Sequence, residues 1–138
     1  MSDPRDLTLP RSWPRKFRDA FRGTVLGVRG QRSFPVHFAA AVIVVGCGWG
    51  FRVGLLEWLL LLLCITTVLT AEMFNSALES MAKAVSLQHD PFLGDALDIG
   101  SAAVLVASLG AALVGGLLFT HRLGVVLGWW HDLIATRG

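Results

Sequence analysis

Ile99-Gly-Ser-Ala-Ala-Val-Leu-Val-Ala-Ser-Leu-Gly-Ala-Ala-Leu-Val-Gly-Gly-Leu-Leu-Phe119 runs for 21 residues without a charged side chain. A helix needs about 20 apolar residues to cross the hydrocarbon core of a bilayer, so this stretch predicts a transmembrane span. Two further apolar runs precede it, one from about Val36 to Phe51 and one from about Leu55 into the low eighties. Three such crossings take nearly half of a 138-residue chain and leave room for one domain only. The composition agrees: 54% of residues are hydrophobic and 16% charged, too few charges to cover a soluble globule. The expected fold is all-α and integral to the membrane. Residues 1–33 form a basic N-terminal region with an amphipathic surface helix, 34–120 a three-span membrane domain, and 121–138 an interfacial tail.

Between Trp13 and Arg29, the uncharged side chains Trp13, Phe17, Ala20, Phe21, Thr24, Val25 and Val28 recur at helical spacing of three and four. Against them stand Arg15, Lys16, Arg18, Arg22 and Arg29. Such a helix lies on a membrane surface, where each Lys or Arg near anionic headgroups contributes about 1 kcal/mol. Nucleic acid is not the expected partner of these charges. Eight of the 12 Lys and Arg residues lie before the first span, which predicts a cytoplasmic N-terminus. The link around Arg52 is then periplasmic, the segment from Lys83 to Asp98 cytoplasmic, and the tail after Phe119 periplasmic, in a cell inner membrane. The tail carries Trp129 and Trp130 beside His131 and Asp132, the content of an interfacial anchor. No short apolar stretch with a small-residue cleavage site opens the chain, so the N-terminus is expected to be retained.

The first span carries Gly46, Gly50 and Gly54 at every fourth position, a stripe suited to close helix packing. As a nucleotide-binding loop the glycines are unsuited, with no strand before them and no Lys-Ser/Thr after. Cys47 and Cys64 fall inside apolar runs and read as packing residues. His37 and His89 have no second ligand at metal spacing and read as interfacial polar residues.

The chemistry concentrates in Thr70-Ala-Glu72-Met-Phe-Asn75-Ser-Ala-Leu-Glu79-Ser-Met-Ala-Lys83. At about 100° per residue, Asn75, Glu79 and Lys83 fall about −60°, −20° and +20° from Glu72, so all four share one helix face. A carboxylate at the bilayer centre costs roughly 2.5 to 3.5 kcal/mol, which makes an intramembrane acid a functional candidate by default. Glu72 lies about 25 Å along the helix from Leu55 and Glu79 about 36 Å, so the stripe straddles the cytoplasmic edge of a hydrocarbon core about 30 Å thick. A lipid hydroxyl and a cytosolic nucleotide can meet there. Two carboxylates with an amide between them are donors of the kind Mg²⁺ takes together with phosphate, and one carboxylate remains to accept a hydroxyl proton. Two other readings stay open. Glu79 and Lys83 can be an i,i+4 pair on a wet helix end while Glu72 and Asn75 join helices. An embedded Glu can also be the proton site of a small exporter. Further along, Asp90, Asp95 and Asp98 lie in the cytoplasmic segment, and Asp98, opening the third span, reads equally well as a helix N-cap.

Glu72-Met-Phe-Asn75-Ser-Ala-Leu-Glu79 resembles the central signature of the prokaryotic diacylglycerol/undecaprenol kinase family in both order and spacing. Asp98-Ile-Gly-Ser-Ala-Ala-Val-Leu is similar to the opening of that family's third span. Lys16-Phe-Arg-Asp-Ala-Phe-Arg-Gly23 followed by Gln31-Arg-Ser-Phe-Pro-Val-His37 looks like its surface helix leading into the first span. The resemblance implies a homotrimer with sites between protomers that uses MgATP to phosphorylate a membrane lipid alcohol, diacylglycerol or undecaprenol. It implies Glu72 as general base, with Ser76 and Asp98 beside it at the lipid. It further implies Asn75, Glu79, Asp98, Gln31 and Arg22 at the nucleotide, and Glu79 and Gln31 at Mg²⁺. Two positions depart from the family. Leu97 stands where many members have Lys, so the expected phosphate-facing ammonium is absent there, and Arg22, Arg29, Arg32 and Lys83 are the candidates to replace it. Gln31 stands where many have Glu and offers Mg²⁺ only a neutral oxygen. A catalytically silent membrane scaffold of the same fold is the alternative these departures raise.

Overall fold

The computed structural model describes residues 12–30, 33–85 and 90–128. Gln31, Arg32, His89 and the tail residues Trp129 to Asp132, all singled out above, lie outside the described residues, as does the side chain of Arg29. The described residues form four helices and no strand: α1 Trp13–Gly30, α2 Phe34–Gly50, α3 Leu55–Val85 and α4 Pro91–Val126. Two of them, α3 and α4, are long and apolar enough to cross a membrane, while α2 is apolar but only 17 residues long. At 1.5 Å per residue α3 extends about 46 Å and α4 about 54 Å, so both outrun a hydrocarbon core of about 30 Å.

The ends of these helices follow from local chemistry. Pro35 sits in the first turn of α2, where its missing N–H costs nothing. At the other end the chain reverses through Arg52, whose φ of 49° is left-handed, and the Val53 N–H returns to the Gly48 carbonyl at 3.1 Å. The start of α4 corrects one expectation. Asp90, not Asp98, is the N-cap: its carboxylate accepts from the Phe92 and Leu93 N–H groups at 2.9 and 3.2 Å, and Pro91 follows in the first turn. This Asp-Pro start draws the helix two turns upstream, leaving Asp98 on an exposed helical face. The same helix runs past Phe119 through His121 and Arg122 to Val126.

Helices α3 and α4 form an antiparallel hairpin that carries most of the interhelical packing, with Leu61, Val68, Gly100, Val104 and Gly115 buried along it. Glu57 and Arg122 close its far end. Arg122 Nε donates to Glu57 Oε1 at 2.7 Å and Nη2 to Oε2, and the Gly54 N–H adds a bond to Oε2 at 2.6 Å. The planar guanidinium fork matches the carboxylate, so the pair sets the hairpin's register as well as joining it. The rings of Phe51 and Phe119 meet nearby with centroids 5.8 Å apart.

Helix α2 leans on α3 through Gly48. A Cβ built there would lie 2.7 Å from Trp58 Cη2, so the indole needs the bare glycine. The expected packing stripe is not the one used within the protomer: Gly46 and Gly50 face open space, and a Cβ built on Gly54 would lie an ordinary 3.5 Å from Arg122 Nη2 and Glu57 Oε2. Successive i+4 positions share a face, but that face of α2 points away from α3. Helix α1 rests across α3, with Trp13, Phe17 and Phe21 all more than 70% exposed.

Gly48→Ala is expected to overpack the Trp58 indole and lower stability by about 1–3 kcal/mol, read from unfolding in mixed micelles, with Gly46→Ala as an unaffected comparison. Glu57→Gln and Arg122→Ala are each expected to lower the thermal unfolding midpoint. The double variant should fall no further than the worse single one, since one bidentate pair is lost in every case.

Candidate active site

A long apolar helix has no water to offer a carboxylate, so a buried acid must find its partners on neighbouring elements. Glu72 is 2% exposed, and its partners come from the start of α2. The Ser33 hydroxyl donates to Oε1, and His37 Nε2 stands 3.8 Å from Oε2. Ser33 and His37 are four residues apart, so both project from one face of the first turns of α2. Neither was among the site residues expected from the sequence, where His37 read as an interfacial polar group. The signal that could have found them is this i,i+4 polar pair opening an apolar helix.

One turn on, Asn75 is 8% exposed, and its Nδ2 donates to Glu79 Oε1 at 3.3 Å. Its Oδ1 is buried without a hydrogen-bond partner among the described residues and packs on α4 at Gly100. A Cβ on Gly100 would lie 2.6 Å from that oxygen and 3.0 Å from Leu78 Cδ1. Gly100 therefore lets α4 approach close enough to hold the amide with its NH₂ towards Glu79. The Glu79 carboxylate is half-buried and Lys83 exposed, so the stripe passes from dry to wet along α3.

Ser76 is buried, and its hydroxyl donates to the Glu72 carbonyl at 2.8 Å, tying it to its own helix. It also borders a groove of about 410 Å³ between α1 and α3, lined by Gly23, Gly27, Met73, Ser80 and Lys83. A second cavity, of about 320 Å³, lies between α2, α3 and α4. His37, Ala41, Leu61, Val68, Ala112 and Phe119 are among its lining residues, almost all apolar. The Glu72 side chain reaches His37 on the cavity side, while its carbonyl reaches Ser76 on the groove side.

The expected site residues are thus brought together only in part. Glu72, Asn75, Ser76 and Glu79 form one continuous patch on α3. Arg22 is exposed on α1 and Asp98 exposed on α4, and no hydrogen bond or ion pair joins Asp98 to Glu72, Asn75 or Glu79. Leu97, at the position of the missing lysine, is half-buried. Among the described residues no three His, Cys, Asp or Glu side chains cluster as a metal cage. Mg²⁺ does not require one, because it commonly takes one or two carboxylates and fills the rest of its octahedron with phosphate and water. The half-buried Glu79 carboxylate, steadied by Asn75 Nδ2, is a donor of that kind, and the unpaired Asn75 Oδ1 is a neutral oxygen beside it.

Comparison with known proteins bears on the same residues. Residues 18–119 match the family model described as prokaryotic diacylglycerol kinase. The chain is 30% identical over 109 residues to the undecaprenol kinase of Bacillus subtilis (strain 168), covering 79% of this chain and 89% of that protein. It is 30% identical over 103 residues to the diacylglycerol kinase of Synechocystis sp., covering 74% of this chain and 59% of that one.

Asn75 is the only asparagine in the sequence, so selective ¹⁵N-asparagine labelling gives a single side-chain NH₂ signal pair. Gly100→Val is expected to shift that pair, whereas Gly94→Val on the same helix, where a side chain meets open space, should leave it in place.

Proposed function

Because the chain belongs to the prokaryotic diacylglycerol kinase family of membrane-bound lipid kinases, we propose that it transfers the γ-phosphate of ATP to the hydroxyl of a membrane lipid alcohol, diacylglycerol or undecaprenol. The observation that carries this reading is Glu72: a carboxylate 2% exposed on a long, mostly apolar helix, followed on the same helix by Asn75 and Glu79. Glue between helices needs no acid, whereas a base that accepts a hydroxyl proton does.

In this reading α2, α3 and α4 all cross a cell inner membrane, α1 lies on the cytoplasmic surface, and the site faces the cytoplasm. The basic residues before α2 support that orientation. The unpartnered apolar faces of α3 and α4, Val106 and Leu113 among them, suit lipid and the neighbouring protomers of a homotrimer.

Glu72 accepts the proton of the lipid hydroxyl through a carboxylate oxygen, while Ser33 fixes the other oxygen and so the direction of approach. The lipid oxygen attacks the γ-phosphorus in line with the departing ADP. Glu79 and Asn75, with Gln31 as a further neutral oxygen, would hold Mg²⁺, which when bound neutralises charge on the phosphates. The carboxylate of Asp98 and the guanidinium of Arg22 border the nucleotide. Lys83, in the wall of the groove under α1, is the candidate for the phosphate-facing charge that Leu97 does not provide. The groove beside Ser76, with Ser80 and Lys83 in its wall, and the apolar cavity beside His37 support entry of nucleotide and lipid from opposite sides of Glu72.

The test is transfer of radiolabelled γ-phosphate from MgATP by the purified protein in mixed micelles, with diacylglycerol and undecaprenol offered side by side. Label is expected in at least one lipid. Glu72→Gln should reduce it roughly 10²- to 10⁴-fold, the usual contribution of a general base. Equal transfer by wild type and Glu72→Gln overturns the assignment of the base. No transfer by folded protein favours a silent relative, in line with Leu97.

A further inference from the structure

A carboxylate that receives a proton in every turnover must lose it before the next, and Glu72 at 2% exposure has no direct route to water. Its oxygens have distinct neighbours. The Ser33 hydroxyl donates to Oε1 and is itself no proton acceptor of useful strength at neutral pH, while Oε2 faces His37 Nε2 at 3.8 Å. Among the described residues, no Lys or Arg side chain lies within 4 Å of that carboxylate, and His37 is the base within that distance. The other groups facing His37 across the cavity are Ser108 from α4 and Cys64 from α3, with apolar side chains around them, and α1 contributes none. The His37 side chain is 20% exposed, against 2% for Glu72, so it is the more accessible of the two and stands in the first turns of α2. The separation exceeds a hydrogen bond, but catalytic hydrogen bonds are often long without substrate and tighten on binding.

We infer that His37 carries off the proton that Glu72 takes from the lipid hydroxyl; this rests on the lipid-kinase reading above. Attack of the lipid oxygen forms the new bond to the γ-phosphorus. The bond from that phosphorus to the bridging oxygen breaks, and its electron pair leaves with the nucleoside diphosphate. The hydroxyl proton passes to Glu72 Oε2 and then to His37 Nε2, the imidazolium so formed releases its Nδ1 proton to water, and proton exchange with water returns the ring to the Nδ1–H tautomer that leaves Nε2 free for the next turnover. Histidine suits this step because its two ring nitrogens allow a proton to enter at one and leave at the other.

The experiment compares wild type, His37→Gln and His37→Ala, each first confirmed helical by circular dichroism, in the micellar phosphate-transfer assay. His37→Gln keeps a polar side chain of similar reach but cannot take up a proton. Both variants are expected to lower kcat roughly 10- to 100-fold, below the full effect of removing a general base, with the KM for ATP and for lipid changed less than about threefold. Added imidazole should restore His37→Ala several-fold. Unchanged kcat in His37→Gln overturns the inference and leaves the kinase reading intact. So does a loss confined to KM, which assigns His37 to binding, or a failure of imidazole to restore His37→Ala. An inactive wild type overturns the kinase reading and this inference with it.

Discussion

The arrangement depends on one buried carboxylate. Glu72 sits on a helix whose preceding turns are mostly Leu, Ile, Val and Thr, and ionised carboxylates are costly in such surroundings. The cost is met by α2, whose first turns present Ser33 and His37 to its two oxygens. Those contacts hold α2 against α3 at the polar end, while Gly48 and Trp58 do so at the other, where a Cβ on the glycine would stand 2.7 Å from the indole. Between these points the apolar cavity lies against both helices and α4.

The α3–α4 hairpin is anchored by different physics at each end. At the Glu57–Arg122 end a bidentate ion pair sets register in a partly wet environment, where both side chains keep more than a fifth of their exposure. At the other end register is read sterically, through Gly100 against the Asn75 amide. A slip of one residue would break the ion pair and drive a side chain into Asn75, so the two ends enforce the same alignment. The consequence for the site is that an amide on α3 is oriented by a helix that contributes no hydrogen bond to it.

Burial along the stripe changes in one direction, from Glu72 and Asn75 through half-buried Glu79 to exposed Lys83. This gradient suits groups with different tasks, since a base needs a dry, oriented setting and groups that handle phosphate need access to water and ions.

Much of this was legible in the sequence. Long charge-free runs mean membrane helices because unpaired backbone groups and charges are intolerable in hydrocarbon, and the spacing of Glu72, Asn75 and Glu79 means one helix face because the α-helix has a fixed period. Family membership was likewise carried by contiguous residues. What the tertiary structure decided were contacts between residues far apart in the chain. Ser33 and His37 meet Glu72 across 39 and 35 positions, and Glu57 meets Arg122 across 65, separations that no local period encodes. Of the glycines in the first span, the structure selected Gly48 instead of the Gly46–Gly50 stripe, because periodicity identifies a face but only packing tells which face has a neighbour. Asp98 gave up the cap to Asp90 for a related reason: the apolar span begins near Ile99, but the helix begins wherever a side chain first satisfies its free N–H groups, two turns earlier.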